Sequence, residues 1–540
     1  MRGSIGPGRD WWDVVSYNIT VEPDYLKKTI KGETQIEFGI TKAGSKKKMQ
    51  IDLQQPLRID SILFANKNKW DKLPFTREGN VYMVDFGNYK FRKPLPDIDK
   101  MYSGPVTQHM IIIYYHGSPR IAKNAPWDGG WIFGKDEKGR PWMTVACQGL
   151  GASVWYPCKD HQSDEPDQGA SIRVKIPDNL VAVANGRLIS KDHADDGTVS
   201  YKWGVKNPIN NYEIVPYIGK YVNFTDTLNG EKGKLDLSYW VLDYNLEKAK
   251  KQFGRDTKRT LKAFEYWFGP YPFYEDGYKL VESSHLGMEH QSATAYGNHY
   301  LNGYLGMDRS ASGWGLKWDY IIVHESAHEW FGNNITTNDI ADMWVHEGFG
   351  NYAEVLFTEY YYGKKAADEY VQGLRLNIIN DKPVIGIYGV NEEGSPDMYD
   401  KGANLLHTIR QVINDDSVFR KILRGLTKDF YHQTVDSKDV ESYFSKQSGK
   451  NLSKIFDQYL RTTKIPQLEY KIQGDRLSYR WAKCIPGFDM PVRLEDSGDP
   501  IAIGWLHPTA EWKSTSMTAD MKSKGLLVDK NFYIKVKKAG

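Results

Sequence analysis

The sequence predicts a multidomain α+β protein, all-β in its first part, mixed helical in its middle and β again at its end. Three observations predict this. The chain has 540 residues, more than one ordinary core serves, which implies about three or four domains at ~150 residues each. Apolar side chains alternate with polar ones up to about residue 221, and the spacing turns helical from about Asn245. Pro466 then ends the helical text, and alternation resumes behind it.

Taken in order, residues 9–221 form an N-terminal β domain. Tyr17, Ile19 and Val21 alternate as one buried sheet face requires, and Met110 to Tyr115 is a β-branched and aromatic run. Gly79-Asn80 before Val81–Val84 reads as a hairpin turn, and Lys135–Gly139 as a second hairpin tip. Residues 222–463 form the mixed domain. Leu246, Ala249 and Phe253 fall on one helical face, Tyr320–Asn333 and Asp342–Tyr362 read as helices, and helical stretches continue over residues 366–461. Asp436 or Ser437 caps one of these helices and Asn451 another. Residues 464–540, with Leu468, Tyr470 and Ile472 alternating, form a small β domain. Met1 to Gly8 reads as an expression scar or a flexible tip.

Bulk composition narrows the function. Apolar residues at 40% and charged residues at 26% match a soluble globular protein and argue against pervasive disorder. A net charge of +3, from 71 basic and 68 acidic residues, points to neither a nucleic-acid nor a membrane-surface partner. The chain contains no apolar run of about 18 residues, so no transmembrane helix is expected. Its opening lacks the apolar core of a signal peptide, which leaves cytoplasmic, periplasmic and secreted locations open. Cys147, Cys158 and Cys484 give no disulfide framework. Buried thiols are expected, with a Cys147–Cys158 bridge as the alternative.

The strongest local signal is His324-Glu325-Ser326-Ala327-His328. On a helix the two histidines stand one turn apart on one face, so both imidazoles reach one metal ion, and Glu325 is placed to hold a water on that metal. Apolar Ile321, Ile322, Val323, Trp330 and Phe331 support the helix. Catalytic zinc takes three protein ligands and keeps one position open. Glu347 follows His328 after 18 residues, and Glu354, seven further on, shares its face and is placed to orient a ligand histidine. A solvated acidic face is the bland alternative, and the aromatic neighbours argue against it. Two histidines and a carboxylate suit one zinc ion better than magnesium or calcium. Zinc acidifies its water to a pKa of about 7, and Glu325 then accepts the proton as water attacks a carbonyl carbon.

These residues resemble the M1 family of metallopeptidases, the gluzincin aminopeptidases. The spacing His-Glu-x-x-His, 18 residues, Glu is that family's zinc signature. Phe268–Phe273, Leu286–His290, Met398–Ala403 and Trp155–Pro166 resemble its other motifs, in the same order. The resemblance, over about residues 11–460, implies a thermolysin-like α+β catalytic domain beside the N-terminal β domain, a small C-terminal β-sandwich-like domain, and a cleft between the first two. It implies that His324, His328 and Glu347 bind zinc and that Glu325 is general base and then proton donor. Tyr399 would bond the oxyanion, Glu289 the substrate α-ammonium, Gln148 the same amine, and Gly287 and Met288 the substrate backbone. The implied activity is zinc-dependent removal of N-terminal residues from peptides with a free amino end, without nucleic-acid or membrane partners.

Two residues depart from the family pattern. His290 replaces an Asn and would alter substrate contacts or the first pocket, and His346 replaces another before Glu347. Rival readings are an internal-cleaving zincin, which has no need of Gly287-Met288-Glu289, the leukotriene A4 hydrolase-like branch, which also opens epoxides, and a non-catalytic scaffold. The last is disfavoured because every ligand and the base are present.

Overall fold

The computed structural model describes residues 2–42, 44–45, 48–91, 109–495 and 504–539. Its first unit is built on a long strand, Trp12–Asp24, whose side chains alternate between buried and half-buried. That strand pairs antiparallel with Thr29–Ile40 and parallel with Ala170–Pro177. It lies at the centre of an eight-stranded sheet ordered Arg187–His193, Thr198–Val205, Ala170–Pro177, Trp12–Asp24, Thr29–Ile40, His109–Gly117, Arg58–Asn66, Lys69–Lys72. A four-stranded sheet containing Gly130–Lys135 and Pro141–Ala146 shares its core through Trp131, Val145, Tyr17 and Ile36. Both expected hairpins form, with Gly79 and Gly139 at φ of 59° and 75°.

The middle of the chain adds a five-stranded sheet ordered Tyr221–Gly230, Gly233–Leu242, Tyr278–Glu282, Thr294–Tyr296, Gly287–Met288. Its two faces serve two cores. Val281, Met288 and Ala295 pack with the N-terminal β unit, while Leu237, Tyr239, Leu280 and Tyr296 pack under the helices. The short edge strand Gly287–Met288 therefore sits where the two cores meet. Helix α1, Leu246–Phe268, buries Ala249, Phe253, Leu261 and Phe264 against this sheet. Helices α2 (Tyr320–Ala327), α3 (Trp344–Tyr362), α4 (Lys364–Leu374) and α5 (Asp400–Ile413) follow. Helices over Asp416–Asp429, Ser437–Ser448 and Ser453–Leu460 complete the bundle.

The terminal part forms a four-stranded sheet ordered Lys513–Ser516, Arg476–Ala482, Gln467–Gln473, Lys535–Lys538, with a two-stranded ribbon beside it. Leu468, Trp481 and Phe532 join the core of the helical bundle. Among the described residues, no helix is long and apolar enough to cross a membrane.

Several local expectations change. The helix expected over Tyr320–Asn333 stops at Ala327, because Gly332 at φ 136° turns the chain and the His328 carbonyl accepts the Asn333 amide. Asp436 caps Ser437–Ser448 with a capping box. The next helix is preceded by Leu452 rather than Asn451, although Asn451 Oδ1 still takes the Ser453 amide at 3.2 Å. Cys147, Cys158 and Cys484 are free thiols, so the bridge is not formed. The opening segment is no flexible tip over its described part. Arg2 is 7% exposed and Arg9 1%, each paired with a buried aspartate. Met1 lies outside the described residues.

Candidate metal and amine-binding site

Asp319 starts α2, its carboxylate accepting the Ile321 amide at 3.1 Å and the Ile322 amide at 3.4 Å, as an N-cap aspartate does. The helix is buried along its whole length, so its one polar face turns into the interior. On that face His324 Nε2 and His328 Nε2 lie 3.4 Å apart. Glu347, in the first turn of α3, brings Oε2 to 3.5 Å from the first imidazole and 3.4 Å from the second. Gly350 on α3 allows this approach, since a Cβ there would stand 3.0 Å from His328 Cε1.

The opposite ring nitrogens are occupied. His324 Nδ1 lies 2.8 Å from Glu354 Oε1, whose other oxygen accepts the Tyr370 hydroxyl at 2.6 Å. His328 Nδ1 donates to the Phe331 carbonyl at 3.0 Å. Both Nε2 lone pairs are thereby left to face Glu347, whose Oε2 is buried without a hydrogen-bond partner. A carboxylate oxygen orphaned among imidazole lone pairs is what a bound cation satisfies. This N, N, O donor set with its outer hydrogen bonds fits one zinc ion. The same three groups also attract one another as charges when the imidazoles are protonated. Burial resists charge on Glu347, but the two imidazoles outweigh it and hold the carboxyl well below its usual range. Burial lowers His328, yet Glu347 prevails and raises it to about 9. His324 is likewise raised, against burial, by Glu347 and Glu354.

Glu325 lies beside the first histidine in sequence, its carboxylate near His328 and the edge strand. Burial lifts its carboxyl to about 7, against the pull of both histidines. A Cβ at Gly287 would come within 2.6 Å of Glu325 Oε1, so glycine is what lets the edge strand lie against the base. Gly287 and Met288 pair with Tyr296 and Ala295 on one side only, leaving the outer backbone edge unpaired within its sheet. Glu289 follows, 3% exposed, its Oε1 accepting Gln148 Nε2 at 2.5 Å and the Tyr212 hydroxyl at 3.1 Å. Glu289, Glu325 and His328 each offer a donor atom within 4.8 Å of the others, so this buried carboxylate adjoins the candidate metal site. Tyr399, just before α5, lies 6.0 Å from the His324 ring at 25° to it.

All ten sequence-predicted residues thus gather around one centre. Tyr212, Tyr370 and Asn333, which donates to the Glu289 carbonyl at 2.8 Å, were not foreseen. Their contacts carry no sequence spacing that marks them. His290 makes a specific contact. Its Nδ1 lies 2.5 Å from Tyr217 Oη, and the side chain is fully buried, so this imidazole is engaged with the N-terminal β unit. His346 also faces inward, accepting the Thr337 amide at 3.0 Å.

Comparison with known proteins fits this arrangement. The Peptidase M1 N-terminal domain matches residues 14–212 and the Peptidase family M1 domain residues 255–459, together about three quarters of the chain. The chain is 25% identical over 299 residues to mouse endoplasmic reticulum aminopeptidase 1, covering 52% of this chain and 31% of that protein. It is 26% identical over 503 residues to aminopeptidase N of Lactococcus lactis, covering 86% of this chain and 52% of the other. The chain therefore spans about a third to a half of the length of the curated relatives it matches. Its fold resembles a crystal structure of the M1 zinc metallopeptidase of Deinococcus radiodurans in complex with a Tyr-Ser-Ala substrate. The TM-score is 0.69 at 20% identity, over 85% of this chain and 96% of that one. With both domains matched in order and the His-His-Glu site inside the second, the chain belongs to peptidase family M1.

Proposed function

We propose that the protein is a zinc metallo-aminopeptidase that hydrolyses the first peptide bond of peptides with a free amino end. The observation that carries this reading is the placement of Glu289. It is a buried carboxylate whose donor atom lies within 4.8 Å of those of Glu325 and His328. In that position it pairs with an ammonium through charge-assisted hydrogen bonds. An acylated or internal amide leaves it unpaired in a desolvated pocket.

His324, His328 and Glu347 hold the metal, and Glu354 fixes the His324 ring. Zinc there supplies Lewis acidity toward the scissile carbonyl and toward water. Gln148 and Tyr212 aim Glu289 at the α-ammonium, which sets the register so that the first peptide bond meets the metal. The free edge of Gly287-Met288 pairs with the substrate backbone as an added strand. Glu325, near neutral in its affinity for protons, takes a proton from the attacking water and returns it to the leaving amine. Burial keeps the Tyr399 phenol protonated, so it donates its hydroxyl to the developing oxyanion. The Deinococcus neighbour with its tripeptide supports the same substrate class.

The test is a matched pair, a leucyl anilide and its N-acetyl twin, each with and without a zinc chelator. The expected result is chelator-sensitive cleavage of the free amine alone. Equal cleavage of both would refute the amine anchor and favour an internal-cleaving zincin.

A further inference from the structure

We propose that Arg309 is a positioning residue that fixes the Tyr399 phenol relative to the metal-binding histidines. Arg309 lies in the segment between the strand Thr294–Tyr296 and α2, outside every motif that carried the functional reading. Its Nη1 donates to the Tyr320 hydroxyl at 2.6 Å, and its Nη2 pairs with Asp400 Oδ2 at 2.9 Å. The second oxygen of Asp400 accepts Asn351 Nδ2 at 2.9 Å. One guanidinium thus joins the three helices of the centre. Tyr320 begins α2, which bears both histidines. Asn351 stands on α3 between Glu347 and Glu354. Asp400 is the first residue of α5, next to Tyr399.

The rings make the geometry directional. Tyr320 stacks on His324 at 5.2 Å and 13°, and His324 faces Tyr399 at 6.0 Å and 25°. The metal ligand is held between two tyrosines, and Arg309 fixes the outer tyrosine and the residue beside the inner one. The planar fork of arginine makes both contacts at once, whereas an ammonium is a single point charge. Asp400 is 7% exposed in its side chain, so its carboxylate depends on this partner. The Arg309 carbonyl accepts Asn377 Nδ2 at 3.2 Å, which anchors the loop itself. Misplacing a reacting group by about 1 Å costs about a hundredfold in rate. The inference rests on the aminopeptidase reading and adds to it a residue that acts only through others.

The experiment compares wild type, Arg309→Met, Arg309→Lys, Tyr399→Phe and the Arg309→Met/Tyr399→Phe double variant in the full chain. Zinc content, kcat and KM on leucyl anilide, and zinc release to a chelator are measured. Arg309→Met is expected to retain zinc and to lose kcat by about a hundredfold, with KM changed far less. Arg309→Lys should fall between it and wild type. The double variant should be no slower than Tyr399→Phe alone, because Arg309 works through that phenol. Zinc release should be severalfold faster in Arg309→Met, because the Tyr320 ring is freed. Fully additive losses, or kcat equal to wild type, would overturn the proposal. Should Arg309→Met lose its metal, Arg309→Lys with Tyr399→Phe carries the same non-additivity test. A silent wild type would refute the aminopeptidase reading instead, and zinc release would still report on the Arg309 link.

Discussion

At the scale of single residues, the centre is governed by which ring nitrogen of each histidine is already engaged. Glu354 and the Phe331 carbonyl take the two Nδ1 positions and leave both Nε2 atoms for the cation. Glu354 is 0% exposed and touches no other ligand, so its contribution is orientation and basicity of His324. Outer partners of this kind are worth about 10–100-fold in metal affinity. Glu354→Ala is expected to weaken zinc by that factor, measured by competition with a chromophoric chelator, while Glu325→Gln leaves affinity near wild type. Unchanged affinity in Glu354→Ala would remove the histidine–carboxylate link from the account. His324 and His328 were legible as candidate ligands because residues i and i+4 share a helix face, and Glu354 because it stands seven residues beyond Glu347 on one face, whereas Glu347 itself rested on the 18-residue interval after His328. Glu289 was legible only through resemblance to a family, since a lone acid after Gly-Met carries no spacing. Tyr212 and Arg309 were illegible. They meet Glu289 and Asp400 across 77 and 91 residues, distances over which only the folded chain sets proximity.

At the scale of elements, glycine decides how closely the helices approach. A Cβ on Gly402 of α5 would stand 2.8 Å from the Gly348 Cα of α3, and one on Gly348 would stand 3.2 Å from the Gly402 Cα. Two backbones in contact leave no flexible side chain to yield. Alanine in a helix interior gains about 1 kcal/mol over glycine in propensity. Overpacking costs about 1–3 kcal/mol, and against a rigid backbone the cost prevails. Gly402→Ala should therefore lower the thermal midpoint and also lower kcat, because α5 carries Tyr399 at its head. A midpoint at or above wild type would show that the crossing has room to give. Element types followed well from periodicity, as the alternation in Trp12–Asp24 and the helical stripe of α1 show. The ends did not follow. α2 stops three residues after His324, Gly332 and the carbonyl of His328 then reverse the chain, and apolar Trp330 and Phe331 gave no hint of that turn.

At the scale of the whole molecule, the surroundings of Glu289, the proposed amine anchor, come from two units, and the opening segment ties them. Arg2 Nη1 donates to the Gln148 carbonyl at 2.6 Å and to the Gly149 carbonyl at 3.2 Å. Its Nη2 reaches Gln162 Oε1 at 3.1 Å, and Nε lies 3.1 Å from Asp160 Oδ1. Gly3 packs so tightly on the loop of the helical unit that a Cβ would fall 2.4 Å from the Asn391 amide nitrogen. Asn391 in turn donates to the Gly149 carbonyl at 3.3 Å. This loop leads to Tyr399, and Gln148 bonds Glu289, so the segment braces the approaches to both residues. Sequence composition hid this, because a short Gly-rich opening reads as a tail until its arginine is seen buried against an aspartate. Removing one partner of a buried pair costs about 3–5 kcal/mol, because the other charge stays behind unpaired. Arg2→Ala is therefore expected to lower unfolding stability by that amount. It should also raise KM for free-amine substrates more than it lowers kcat, since Gln148 loses its anchor while Glu325 and the metal ligands keep theirs. Arg2→Lys retains the charge opposite Asp160 but not the separate nitrogens that reach the carbonyls, Gln162 and Asp160 at once, so it should recover stability ahead of KM. Urea unfolding and steady-state kinetics on the three proteins check this. A drop in kcat at constant KM would place the segment's influence at Tyr399 rather than at the amine.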